Sequence, residues 1–78
     1  MTGKYIIKEI AGREVAIMFD AFITHSNVGT IREDKGKTVA AGFFSLTEGK
    51  IVAFGQSISL RIKARGKQDA TIIGEVLL

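Results

Sequence analysis

The stretch VAFGQSISLRIKAR, residues 52–65, decides the fold because its side chains alternate in character. Apolar residues stand at the even positions, apart from Gln56, and from Ser57 onward every odd position is polar or charged. A period of two is typical of a β-strand with one buried and one solvent-exposed face. The stretch therefore predicts a long half-buried strand in a sheet, with Gly55 as a bulge or bend inside it.

The exposed face of this predicted strand ends in cations. Arg61, Lys63 and Arg65 share the odd positions, and Lys67 follows shortly after them. Residues 61–67 contain four Lys/Arg and no acid, whereas the sixty residues before them are nearly balanced in charge. Such a basic ridge could attract phosphates or an acidic protein, so these four residues form a candidate polyanion-binding site. The plainer interpretation is that they keep an exposed strand soluble. No aromatic residue shares their face to stack on a base.

The length of the chain predicts one small α+β domain over residues 1–78. A domain of this size buries only about 60% of its unfolded surface, and small domains often gain stability from disulfides, a metal or oligomerisation. The chain has no cysteine and a single histidine, His25, which excludes disulfides and argues against a zinc site. We expect no metal and no cofactor, and an apolar content of 46% makes a homodimer the remaining route to stability.

The distribution of apolar residues predicts a cytoplasmic protein without a membrane partner. No segment reaches the ~18 apolar residues that a membrane span needs. Lys8 and Glu9 interrupt the apolar residues near the start, so no signal-peptide core is recognised there. The absence of cysteine is compatible with a reducing compartment.

The first half of the chain predicts a hairpin followed by a short helix. Its strands cover residues 4–10 and 15–19, with a glycine-containing turn over residues 11–14. All five residues of the second strand are apolar, which is typical of a strand covered on both faces. Asp20 can cap a helix over about residues 21–27. Because helices can cover only one face of the sheet, the other face should be an exposed apolar patch that a symmetric dimer buries.

The second half predicts another hairpin and an ambiguous C-terminus. A strand over residues 38–46 leads through a Glu48-Gly49 turn into the alternating strand. Ala41 and Gly42 in its middle are small enough for a helix, a neighbouring backbone or a ligand to approach. The last ten residues carry apolar pairs at helical i, i+4 spacing, but they are also rich in β-branched residues and contain a glycine, so that a helix and a strand both remain open.

Three short segments carry a resemblance to a known group of proteins. They are His25-Ser26-Asn27-Val28, Ala41-Gly42-Phe43 and Gly55-Gln56-Ser57-Ile58-Ser59-Leu60, followed by Lys63, Arg65, Asp69 and Ala70. In these segments the chain resembles small bacterial and prophage-encoded proteins of unassigned function. The resemblance implies a C-terminal helix. The chain departs from the group at Gly66-Lys67-Gln68, which stands where the group typically has a proline at the helix start. The resemblance implies no activity.

The candidate catalytic residues do not form a convincing set. His25 and Ser26 are adjacent, and adjacent helical side chains point about 100° apart, so the histidine cannot readily activate the serine with Asp20 as a third member. Gly36-Lys37-Thr38 lacks the upstream glycine of a phosphate-binding loop. A chain of this length also has little room for a pocket of ~300 Å³, so we expect no small-molecule substrate.

These observations together predict an antiparallel sheet of about four strands, a short helix after the second strand and a C-terminal helix. The function that they favour is a non-catalytic, self-associating protein-interaction module. The alternative is a weak nucleic-acid or polyanion binder that uses the basic residues 61–67.

Overall fold

The computed structural model describes residues 1–25 and 36–78 and, within them, six strands and a C-terminal helix. They are β1 (Thr2–Ile10), β2 (Arg13–Phe19), β3 (Lys37–Thr47), β4 (Lys50–Phe54), β5 (Gln56–Ser57), β6 (Ile62–Lys63) and α1 (Lys67–Leu77). The first four strands form an antiparallel sheet in the order β2-β1-β3-β4, and β5 pairs with β6. The predicted α+β class, four-stranded sheet and C-terminal helix are confirmed.

Two tight turns connect the strands of the main sheet. Ala11 and Gly12 have φ angles of 53° and 79°, and Glu48 and Gly49 have φ angles of 52° and 77°. Two successive positive φ angles define the type I′ turn, whose twist matches that of the strands it joins. The second turn lies where it was predicted. The first is shorter than predicted, since Arg13 already belongs to β2.

The prediction of one long strand over residues 52–65 is wrong. β4 ends at Phe54, and Gly55 follows with a φ of 77°. An extended strand needs a negative φ, so this glycine turns the chain out of the sheet. The chain then forms the separate β5–β6 hairpin, in which Gln56 pairs with Lys63. The predicted bend at Gly55 is confirmed, but it ends the strand instead of interrupting it.

Gly42 lies in β3 where the end of β4 and the chain just after β6 pass close to it. A Cβ atom on Gly42 would lie 2.5 Å from the carbonyl oxygen of Phe54 and 3.0 Å from Cβ of Ala64. Neither distance is compatible with ordinary packing, and the nearer atom belongs to the backbone. Of the three alternatives for this position, a neighbouring backbone is therefore the one observed.

The hydrophobic core lies between the sheet and α1. Its buried members alternate along the strands and meet one helix residue; they are Tyr5, Ile7, Ala16, Ala40, Phe44, Ala53 and Ile73. This packing settles the ambiguity at the C-terminus, because a helix places Ile73 and its apolar neighbours on one face. The strand alternative is wrong.

The opposite face of the sheet is less open than predicted. Ile6 and Ala41, which alternate with core residues, are fully buried. Exposed apolar side chains on that face lie instead on the outer strands: Val15 of β2 is 36% exposed, and Val52 and Phe54 of β4 are 44% and 50% exposed. Of residues 15–19, Ala16 is buried and Ile17, Met18 and Phe19 are half-buried, so Val15 is the most exposed of the five, although β2 lies at an edge of the sheet.

A turn follows β2 in place of the predicted helix start. The amide of Ile23 donates to the carbonyl oxygen of Asp20 at 3.0 Å, and the amide of Phe22 donates to Asp20 Oδ1 at 2.9 Å. An aspartate favours such turns because its carboxylate accepts from the backbone two residues on. The turn leaves Phe22 96% exposed. The end of the predicted helix, Ser26 and Asn27, lies outside the described residues.

Candidate functional site

The structure separates the four candidate cations. Arg61 lies in the turn between β5 and β6 with a φ of 58°, Lys63 belongs to β6, and Lys67 is the first residue of α1. These three are exposed, whereas Arg65 is half-buried. The ridge at strand spacing does not form, because the strand on which it was predicted is broken. Polyanion binding by the remaining cations stays a prediction.

Arg65 is the centre of a hydrogen-bonded cluster that we call the Arg65 network, made of Tyr5, Glu14, Arg65 and Asp69. Its guanidinium donates to both carboxylate oxygens of Glu14 at 2.8 and 3.2 Å, and its Nε donates to Asp69 Oδ1 at 2.7 Å. The hydroxyl of Tyr5 and the backbone amide of Arg65 both donate to Asp69 Oδ2, at 2.5 and 2.7 Å. Asp69 therefore accepts three hydrogen bonds.

The Arg65 network shifts the pKa of several of its members. Burial, and then the hydrogen bond to Asp69, raise the pKa of Tyr5 far above its ordinary value. The hydrogen bonds from Arg65 lower the pKa of Glu14, and the hydrogen bonds to Glu14 raise the pKa of Arg65. The network therefore favours a neutral phenol and a charged Arg65–Glu14 pair.

The position of the network shows what it does for the fold. Tyr5 lies on β1, Glu14 on β2 and Asp69 in the first turn of α1, so the cluster fastens the helix start to two strands. Gly66, the N-cap residue, has no side chain that could cap the helix. The Asp69 carboxylate accepts a hydrogen bond from the nearby backbone amide of Arg65. Tyr5 and Asp69 are both 0% exposed, so neither can reach a substrate.

His25 occupies a structural position. The ring is 4% exposed, and its Nε2–H donates to the carbonyl oxygen of Gly42 at 2.8 Å. The rings of Phe19 and Phe43 meet it edge-on at centroid distances of 5.5 and 5.7 Å. The carboxylate of Asp20 accepts the Phe22 amide in its own turn. Ser26, the third member of the candidate hydrolase set, lies outside the described residues.

Beside His25 is an open depression that we call the aromatic cleft. It has a volume of about 430 Å³, and its walls include Lys4, His25, Phe43, Gln56, Ile58 and Ser59. Ile58 is 83% exposed and the Phe43 ring is half-buried. This volume exceeds the ~300 Å³ for which the length of the chain predicted little room.

Sequence reasoning assigned the cleft residues to other roles. The alternation over residues 52–65 places Ile58 on the buried face of the long strand, together with Phe54, which stacks on Phe43. Phe54 is 50% exposed on β4 itself, where Ala53 is the buried residue, so the predicted buried face is wrong there too. Once the chain bends at Gly55, Ile58 no longer faces the core. The glycine itself was the available signal, although it does not show in which direction the chain departs.

Other kinds of site are not seen in the described part of the chain. Within residues 1–25 and 36–78, no three His, Asp or Glu side chains come together as ligands for a metal ion. No helix in these residues is both long and apolar enough to span a membrane.

Comparisons with known proteins add no assignment. No protein-family model, no curated protein and no solved structure matches this chain. The resemblance to small bacterial and prophage-encoded proteins therefore stays a prediction.

Proposed function

We propose that this chain is a non-catalytic interaction module that pairs with a second copy of itself along the outer edge of β2. The observation that carries the proposal is the position of the continuous apolar run over residues 15–19. Residues 15–19 are all apolar, yet β2 lies at the end of the sheet. Among the described residues, no strand pairs with its outer side.

The two edge strands of the sheet differ in how well they are protected. Proteins usually protect a sheet edge from pairing with lysines, prolines, bulges or short strands. β4 has five residues, begins with Lys50 and ends at the bend of Gly55. β2 has seven residues without lysine or proline, and its register with β1 is continuous. β2 is therefore the edge that is suited to pairing.

Symmetric pairing would also bury apolar side chains. An antiparallel pair with its two-fold axis at Ala16 would place Val15 opposite the second copy's Ile17, on the face away from α1. Directly opposed β-branched residues stabilise a strand pair by roughly 0.2–1 kcal/mol each. Val15 is 36% exposed in the single chain, so it has surface to bury. The pair would join two four-stranded sheets into one.

The test measures molar mass by light scattering and sedimentation at concentrations up to about 100 µM, where even a micromolar interface is populated. We compare the natural chain with Val15→Lys and with the matched control Val52→Lys, which places the same charge on the other edge strand. We expect dimers for the natural chain and for Val52→Lys, and monomers for Val15→Lys. Circular dichroism spectra verify that all three proteins fold.

Two results would overturn the proposal. The first is a monomeric natural chain at the highest concentration. The second is a Val15→Lys protein that still dimerises. If Val52→Lys were monomeric in that case, the interface would belong to β4. Amide hydrogen exchange gives a second measurement, because pairing should slow exchange in β2 as concentration rises.

A further inference from the structure

The aromatic cleft has the size and lining of a small-molecule site. Its volume of about 430 Å³ falls in the range of roughly 300–1,000 Å³ that is typical of ligand pockets. Such pockets combine apolar walls with a few polar groups that orient the ligand. Here Phe43 and Ile58 supply apolar surface, and Gln56 and Ser59 supply groups that form hydrogen bonds.

The aromatic wall of the cleft is held in place before any ligand arrives. The Phe43 ring stacks on Phe54 at a centroid distance of 6.0 Å with an interplanar angle of 23°. It also contacts the His25 ring edge-on, and the hydrogen bond to Gly42 fixes that ring. A preformed wall lowers the entropy that a ligand loses by ordering its site.

Lys4 determines the charge that the cleft favours. Its Nζ lies 6.0 Å from the centroid of the Phe43 ring and donates to the carbonyl oxygen of Ile23 at 3.1 Å. An ammonium group has three N–H donors, so this bond leaves donors for a ligand. Among the described residues that line the cleft there is no Asp or Glu to oppose an anion.

We propose that the aromatic cleft binds a small apolar monocarboxylate, with its hydrocarbon or aryl body between Phe43 and Ile58 and its carboxylate at Lys4. The body covers Ile58, a large apolar side chain that is otherwise 83% exposed. The carboxylate forms a charge-assisted hydrogen bond to the ammonium group, which is stronger than a bond between neutral groups. The site is separate from the β2 edge and does not depend on self-association.

The test titrates the chain with three probes of similar shape. Binding is monitored by amide NMR and by calorimetry. The probes are phenylbutyrate, the neutral phenylbutanamide and the cationic phenylbutylamine. We expect saturable binding of phenylbutyrate with a Kd below about 1 mM and binding of the amide about tenfold weaker, with the amine weakest. The shifted amide signals should belong to Lys4, Phe43 and residues 55–59.

Substitutions locate the two parts of the site. Lys4→Met should reduce phenylbutyrate binding to the level of the amide, and Lys4→Arg should retain it. Ile58→Ser should weaken all probes, and it lies on the surface where folding is not at risk. Matched controls are Lys50→Met and Val76→Ser, which change an exposed lysine and an exposed apolar residue elsewhere. Both should bind as the natural chain does.

Several outcomes would overturn this inference. They are shifts that do not saturate, equal affinity for the acid and the amine, or a Lys4→Met protein with unchanged affinity. Val15→Lys, the variant designed for the β2 edge, should bind phenylbutyrate normally. The failure of either proposal therefore leaves the other one standing.

Discussion

Replacing Tyr5 with phenylalanine tests the Arg65 network with the loss of a single atom. The ring remains in the core, so the substitution opens no cavity larger than a hydroxyl group. What is lost is the 2.5 Å hydrogen bond from the phenol to Asp69, a residue that is 0% exposed and ion-paired with Arg65. A hydrogen bond to a charged group contributes about 1.5–3 kcal/mol, and we expect Tyr5→Phe to lower the free energy of unfolding by that amount.

This loss is large in relation to the stability of so small a domain. At about 0.05–0.15 kcal/mol per residue, a chain of 78 residues has a free energy of unfolding of roughly 4–12 kcal/mol. Each 1 kcal/mol corresponds to about 4–8 °C in Tm for domains of this size, so Tm should fall by roughly 6–24 °C. The chain has no tryptophan and Tyr5 is its only tyrosine, so far-UV circular dichroism is the appropriate signal for thermal and urea unfolding.

The control removes a hydroxyl from an exposed hydrogen bond. Thr71→Val deletes the donor to the carbonyl oxygen of Lys67 on the surface of α1 and should change stability by less than about 0.5 kcal/mol. The same small change for Tyr5→Phe would refute the reasoning. A double-mutant cycle with Asp69→Asn separates the pair from other effects, since two residues in one network should show a coupling energy of at least about 0.5 kcal/mol.

Three further predictions use the same unfolding assay. Gly42→Ala should cost about 1–3 kcal/mol, because the added Cβ would lie 2.5 Å from the carbonyl oxygen of Phe54, and an unchanged urea midpoint would contradict this. The raised pKa of Tyr5 means that its contribution to stability is present below the ordinary phenol pKa of about 10 and is lost as pH rises above it. Tyrosinate absorbance should therefore appear only together with the loss of the dichroism signal, and ionisation in the folded protein would contradict the burial. The lowered pKa of Glu14 means that its contribution is present above the ordinary pKa of about 4.3 and is lost as pH falls below it. Glu14→Gln should flatten the acid side of the stability profile, and an unchanged profile would show that the pair with Arg65 contributes nothing.

The parts of the fold that were predictable from sequence are encoded by residues close together in the chain. The Glu48-Gly49 turn is one case, since two residues that can adopt a positive φ between two strand-like segments favour a type I′ hairpin. The C-terminal helix is a weaker case. Helical spacing competed there with β-branched residues, and burial of Ile73 against the sheet decides the outcome.

The break at Gly55 shows why the alternation over residues 52–65 predicted a single long strand incorrectly. The alternation of residue types runs on through the turn at residues 58–61, although β4 has ended at Phe54 and β5 and β6 pair with each other. Periodicity reports which side chains share a face, but not which strand lies alongside. The direction in which the chain turns at Gly55 is therefore not contained in the pattern.

The same limit explains why the role of Arg65 was not predictable from the sequence. In the sequence it stands in line with Arg61 and Lys63, and only Asp69, four residues further on, distinguishes it from them. Its partner Glu14 is 51 residues away, and Tyr5 and Asp69 are 64 residues apart. Only the packing of α1 across β1 and β2 brings these groups together. Apart from the Arg65–Asp69 pair, a network assembled from such distant residues has no local signature.

β2 contributes Glu14 to the Arg65 network and also forms the proposed dimer edge. The neighbouring residues Glu14 and Val15 separate these two roles. Glu14 belongs to the network through Arg65, whereas Val15 points to the other face of the sheet at the open edge. Glu14→Gln should therefore lower stability at neutral pH and leave the molar mass unchanged. Val15→Lys should abolish the dimer and leave the stability of the monomer within about 0.5 kcal/mol, as is usual for a surface substitution. If both variants changed both measurements, the network and the edge would be coupled, and the apolar character of residues 15–19 would belong to the fold of the single chain and not to its assembly.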